Sequence, residues 1–103
     1  MNTNEFLAVT RKAHDGIDML EIRPAATMKD DFIISIQASE THYCSPRNNN
    51  GPYLSVELGY PSGADDLIME FAEDARCPTR TVYGYVPVEV VDALIEKHGG
   101  IKA

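Results

Sequence analysis

Residues 52 to 75 read Pro-Tyr-Leu-Ser-Val-Glu-Leu-Gly-Tyr-Pro-Ser-Gly-Ala-Asp-Asp-Leu-Ile-Met-Glu-Phe-Ala-Glu-Asp-Ala. The first third of this segment has the clearest alternation in the chain. Leu54, Val56 and Leu58 recur at every second position, the period of a strand with one face buried in an antiparallel sheet. We therefore expect these three side chains in the core, and Tyr53 on the opposite face of the strand.

The rest of the segment predicts an amphipathic helix over residues 64–75. Pro61 cannot continue a strand ladder, and Ser62 can cap a helix that follows it. Apolar residues then recur at helical spacing, at Ala64, Leu67, Ile68, Phe71 and Ala75. The opposite side is predicted to be an acidic stripe without any base, made of Asp66, Glu70, Glu73 and Asp74.

Similar patterns predict the other elements. Helices are expected at residues 3–16 and 87–99, and strands at residues 17–23, 32–38 and 80–86. The 103-residue chain then makes one α+β domain, with a four-stranded, mainly antiparallel sheet and three helices in the order α-β-β-β-α-β-α. The connecting segments include a loop at residues 25–31 and a mobile surface loop at residues 39–52.

One face of this sheet is predicted to remain uncovered. If the helices pack on the other side, the uncovered face carries Tyr53, Tyr83 and Tyr85, together with Ile33 and Gln37. Exposed aromatic side chains are typical anchors of protein interfaces, because they bury a large area at low entropy cost. The same face could also join two copies in a structural homodimer.

The charge of the chain limits its partners. Sixteen acids stand against nine bases, for a net charge of −7, which repels nucleic acid and anionic membranes. The first residues lack a basic region followed by an apolar run, so we expect a cytoplasmic protein whose two cysteines stay free.

An enzymatic or small-ligand alternative depends on the loop at residues 39–52, with His42, Cys44 and Arg47 as its polar groups. A thiol two residues from an imidazole can be an activated nucleophile, but the acidic surroundings do not favour the thiolate. A metal site would need further ligands from Cys77, His98 or His14, and the paired spacing of zinc modules is missing. We therefore expect no catalytic residue, no metal and no cofactor.

The function that these features favour is that of a small acidic binding protein without catalysis. It is expected to inhibit a larger nucleic-acid-handling host complex in bacteria, a protein or ribonucleoprotein with a basic groove that an acidic body can occupy as a DNA mimic. Small phage-encoded inhibitors such as anti-CRISPR proteins and restriction inhibitors have a similar size and charge. The expected contact residues are Asp66, Glu70, Glu73, Asp74, Tyr83, Tyr85, Glu89, Asp92 and Glu96.

Overall fold

The structure is a computed structural model that describes residues 1–11 and 23–102. Its elements are α1 (Thr3–Val9), β1 (Ala26–Thr27), β2 (Ile33–Gln37), β3 (Ser55–Gly59), a 3-10 turn (Met69–Phe71), β4 (Val82–Pro87) and α2 (Val88–Lys97). The predicted strand at residues 17–23 and the predicted end of the first helix at residues 12–16 lie outside the described residues, apart from Arg23.

The described part of the chain forms a single α+β domain, as predicted. Its four strands follow one another in the order β1-β2-β3-β4, and every neighbouring pair is antiparallel. The predicted loop at residues 25–31 is not a loop throughout, because it contains β1. Ala26 pairs with Ile34 and Thr27 with Ile33, so this short segment completes the sheet beside β2.

The first helix is shorter than predicted. Asn2, rather than Thr3, is its N-cap, and it forms a capping box with Glu5. At the other end, the Thr10 N–H and the Thr10 hydroxyl both donate to the carbonyl of Phe6, at 3.0 and 2.6 Å. The helix ends at Val9, because the C-cap Thr10, with a φ of −97° and a ψ of 2°, departs from helical geometry.

The predicted middle helix over residues 64–75 is wrong. Asp65 accepts a hydrogen bond from the Leu67 N–H at 3.0 Å, a local bond that competes with helical hydrogen bonding. Further on, the Glu73 N–H donates to the carbonyl of Val82 at 3.0 Å, next to a bridge between Ala72 and Tyr83. This backbone pairs with β4, so the described residues contain two α-helices and one 3-10 turn instead of three α-helices.

A bulge in β4 changes which side chains face the core. Val56 pairs with Val86 and Leu58 with Tyr83, so two steps along β3 oppose three along β4. Tyr85, at the bulge, has a φ of +52°. The extra residue brings Tyr83 to the core side, where it is 0% exposed, and the prediction that it faces outward is wrong.

The remaining core is largely the predicted one. Val56 and Leu58 are buried, but Leu54 is exposed and Tyr53 is buried, because β3 begins only at Ser55.

Gln37 is also buried rather than exposed, and it exchanges hydrogen bonds with the backbone of Arg23. Alternation over residues 32–38 and the helical stripe of residues 88–95 predict the core residues Phe32, Ile34, Ile36, Ala38, Val91, Leu94 and Ile95, which are buried, and Val88, which is half-buried. The predicted uncovered face thus retains only Ile33 and Tyr85 as exposed residues.

Candidate protein-binding surface

Two tyrosines lie side by side on the surface, and we call them the tyrosine pair. Tyr43 is 46% exposed and Tyr85 is 51% exposed, and their ring centroids are 6.0 Å apart with an interplanar angle of 35°. The backbone fixes this arrangement, because the Tyr85 N–H donates to the carbonyl of Tyr43 at 3.0 Å. Gly84 lies against this contact, since a Cβ at this position would be 3.4 Å from the Cβ of Tyr43.

The loop that carries Tyr43 is hydrogen-bonded to β3 and to Leu54, which directly precedes β3. Ser45 and Ser55 exchange two backbone hydrogen bonds, at 3.1 and 3.2 Å, and the Leu54 N–H donates to the carbonyl of Ser45 at 2.7 Å. The side chain of Glu57 accepts from the Tyr43 N–H at 3.0 Å. The predicted surface loop therefore has defined contacts with the sheet, and these contacts position Tyr43 beside β4.

A small cavity opens next to the tyrosine pair. It has a volume of about 250 Å³ and is lined by Tyr43, Phe71, Glu73, Gly84 and Tyr85. We call it the aromatic cavity. Pockets for drug-sized ligands and cofactors usually measure about 300–1,000 Å³, so this cavity suits a single side chain rather than a cofactor.

The predicted acidic stripe is arranged differently from the prediction, since residues 64–75 are not helical. Asp66, Glu70 and Glu73 are exposed, and only Glu73 lines the aromatic cavity. Asp74 forms an ion pair with Arg76 at 3.1 Å. A base that directly follows the segment thus pairs with one of its acids.

The acids of α2 also differ in their exposure and in their hydrogen bonds. Glu89 and Glu96 are exposed. Asp92 instead accepts two hydrogen bonds from the buried Thr3, from its N–H at 2.8 Å and from its hydroxyl at 2.5 Å. Asp92 thus connects α2 to the first turn of α1, and this structural contact occupies one of its oxygens.

The loop residues proposed for the enzymatic alternative do not form an accessible site. Cys44 is 1% exposed, its thiol donates to the carbonyl of Ser39 at 3.1 Å, and burial raises the pKa of this thiol. His42 Nδ1 lies 2.7 Å from the hydroxyl of Ser39, which is itself buried. Both cysteines are free, as predicted. Across residues 1–11 and 23–102, no group of three or more His, Cys, Asp or Glu side chains is placed to hold a metal ion.

Arg47, the third polar residue of the enzymatic alternative, lies next to the tyrosine pair. The guanidinium carbon of Arg47 lies 6.0 Å from the centroid of the Tyr43 ring, which is within the range of a cation–π interaction. The loop therefore adds an aromatic side chain and a cation to this surface. Tyr43 was not predicted as a contact residue, since the sequence does not show that its loop returns to β4.

A second cluster that the sequence does not reveal joins three distant segments, and we call it the Asp30–His98–Asp65 bridge. His98 Nδ1 lies 2.6 Å from Asp30 Oδ2, and His98 Nε2 lies 2.9 Å from Asp65 Oδ2. The Phe32 ring stacks on the imidazole with centroids 4.0 Å apart. Burial alone would lower the pKa of His98, but the bonds to the two carboxylates raise it overall. Both ring nitrogens are occupied by these contacts, which connect three segments of the fold.

No protein-family model matches the chain, and neither the curated proteins nor the solved structures give a match. The two α-helices of the described residues contain 7 and 10 residues, whereas a membrane-spanning helix needs about 20. Within the described ranges, no helix is therefore long and apolar enough to cross a membrane.

Proposed function

We propose that this protein is a small non-catalytic binding protein that docks on a basic protein surface through its tyrosine pair. The observation that carries the proposal is the exposed, backbone-fixed contact of Tyr43 and Tyr85 beside a cavity with a carboxylate in its wall. It combines the two features that the sequence suggested separately, namely exposed tyrosines and acids.

The aromatic part of this surface supplies the binding free energy. Tyrosine is enriched at the centres of protein interfaces, because its rigid ring buries a large area and its hydroxyl tolerates water. A backbone hydrogen bond joins Tyr43 and Tyr85 before any partner arrives, so little backbone entropy is lost when they are covered.

The charge defines the type of partner. A net charge of −7 favours association with a basic surface and raises the rate of encounter. We propose as partner a bacterial protein or ribonucleoprotein with a basic, nucleic-acid-binding groove, which this protein inhibits by occupying the groove as a DNA mimic. The exposed acids Asp66, Glu70, Glu73, Glu89 and Glu96 would contribute to this attraction.

Affinity capture from a bacterial lysate, followed by mass spectrometry, tests the proposal. A Tyr43→Ala, Tyr85→Ala double variant should lose a protein that the wild type enriches. The matched control is Tyr60→Ala, since Tyr60 is 62% exposed and is not part of the aromatic cavity; it should retain the captured protein. Equal enrichment by all three proteins would contradict docking through the tyrosine pair.

A further inference from the structure

We propose that the aromatic cavity binds the guanidinium group of one arginine side chain from a basic protein partner. This inference deepens the proposed function and rests on it for the identity of the partner. The recognition chemistry itself belongs to the cavity and can be measured without that partner.

The walls of the cavity are set by hydrogen bonds on both sides of Gly84. On one side, the Glu73 N–H donates to the carbonyl of Val82 at 3.0 Å. On the other side, the Tyr85 N–H donates to the carbonyl of Tyr43 at 3.0 Å. Because Gly84 has no side chain, the space between these two contacts remains open.

The lining has the composition of a cation-binding cage. Three of the five lining residues are aromatic, one is a glutamate, and none is basic. A cation over an aromatic face is attracted by the ring quadrupole, and a carboxylate beside the rings adds a charged hydrogen-bond acceptor. Glu73 is exposed, so its side chain can reach a cation that lies over the rings.

Arginine fits this lining better than lysine. Its planar guanidinium is weakly hydrated, stacks on aromatic faces and donates two parallel hydrogen bonds to a carboxylate. The molecule already contains one such contact, since Arg47 lies within cation–π range of the Tyr43 ring without being part of the cavity lining. The cavity is also small enough for a single head group, at about 250 Å³.

A titration with blocked tripeptides, followed by nuclear magnetic resonance of the ¹⁵N-labelled protein, tests this inference. The probe is acetyl-Gly-Arg-Gly-amide, and the matched control peptide contains citrulline, which keeps the shape of arginine but has no charge. The arginine peptide should produce saturable shifts at the amides of Gly84 and Tyr85, with a dissociation constant on the order of 1–10 mM. The citrulline peptide should bind at least about fivefold more weakly.

Two variants and one control complete the test. Tyr85→Ala and Glu73→Gln should each weaken arginine binding at least about threefold. Glu70→Gln should not, because Glu70 is exposed nearby in the chain but does not line the cavity. Equal binding of the two peptides, absence of saturable shifts, or indifference to Tyr85→Ala would each overturn the inference.

The outcomes also separate this inference from the proposed function. If lysate capture depends on Tyr43 and Tyr85 while the arginine peptide does not bind, the docking function stands and the arginine inference falls. If sedimentation shows that two copies of this chain associate through the tyrosine pair and thereby exclude the peptide, the cavity serves a homodimer, and the inference is overturned as well.

Discussion

Replacing Asp65 by asparagine removes the charge at the centre of the Asp30–His98–Asp65 bridge while it keeps the shape of the side chain. The Asp65 side chain is 3% exposed, and it lies 2.9 Å from His98 Nε2 and 3.0 Å from the Lys97 ammonium. The asparagine oxygen can still accept the hydrogen bond from the Leu67 N–H. The expected loss of stability therefore comes from the two charged contacts.

The size of this loss follows from the exposure of each partner. A hydrogen bond between charged groups contributes about 1.5–3 kcal/mol, and the His98 side chain is only 14% exposed, so this contact should be near that range. The Lys97 side chain is 50% exposed, and such a pair contributes at most about 1 kcal/mol. We expect Asp65→Asn to lower the free energy of unfolding by about 2–3 kcal/mol, and the control Lys97→Ala to lower it by less than about 1 kcal/mol.

The effect should depend on pH, because only a doubly protonated imidazolium can donate to both Asp30 and Asp65. Burial opposes ionisation of Asp65, but the bonds from His98, Leu67 and Lys97 lower its pKa overall. The lowered pKa of Asp65 stabilises the fold above about pH 4. This stabilisation is lost as the pH falls through the folded-state pKa. The raised pKa of His98 stabilises the fold below about pH 6.5. This stabilisation is lost as the pH rises through the folded-state pKa.

Urea denaturation at pH 5.5 and at pH 9 provides the assay. The difference in the free energy of unfolding between wild type and Asp65→Asn should be largest at pH 5.5. In thermal denaturation, the same difference corresponds to a fall in melting temperature of about 10–20 °C. It should shrink at pH 9, because a neutral His98 can accept a hydrogen bond from the asparagine amide. A difference that is the same at both pH values, or no larger than that of Lys97→Ala, would refute this reasoning.

Three further predictions follow from the burial of individual side chains. Tyr83→Phe should cost about 1 kcal/mol in chemical denaturation, because the Tyr83 hydroxyl donates to the carbonyl of Pro78 at 2.6 Å; an unchanged stability would contradict this contact. Tyr83→Ala should cost about 3–5 kcal/mol and Tyr85→Ala less than about 0.5 kcal/mol, and a similarly small cost for both variants would restore the predicted faces of β4. Iodoacetamide should label the exposed Cys77 in the native protein and the buried Cys44 only after unfolding, as mass spectrometry of the intact protein can show; native labelling of both would refute the buried setting of Cys44.

The sequence predicted the parts of the fold that depend on local periodicity. The alternation in β2 and the helical stripe of α2 place Ile34, Ile36, Val91 and Leu94 in the core, as the structure does. The middle helix failed because the side chain of Asp65 bonds locally to the Leu67 N–H and because the backbone at Ala72 and Glu73 pairs with β4. Helical periodicity cannot indicate such contacts.

The candidate site was predictable only in part. Tyr85 was expected on the surface and lies there, whereas the bulge in β4 moves Tyr83 into the core. A bulge shifts the period of two by one residue, and an isolated glycine within a strand, such as Gly84, is a signal of such a shift. Tyr43 lies in the site because its loop makes backbone contacts with the sheet. Composition alone does not predict such contacts.

The proposed docking function is tested most directly by the affinity of the captured partner for matched tyrosine variants. The Tyr43→Ala, Tyr85→Ala double variant should bind at least about 30-fold more weakly than wild type, a loss of about 2 kcal/mol, while Tyr60→Ala should bind within about twofold. Binding by the wild type should also weaken between low and physiological salt, as it does when opposite charges steer association. An affinity of the double variant equal to that of Tyr60→Ala, with no dependence on salt, would contradict the account.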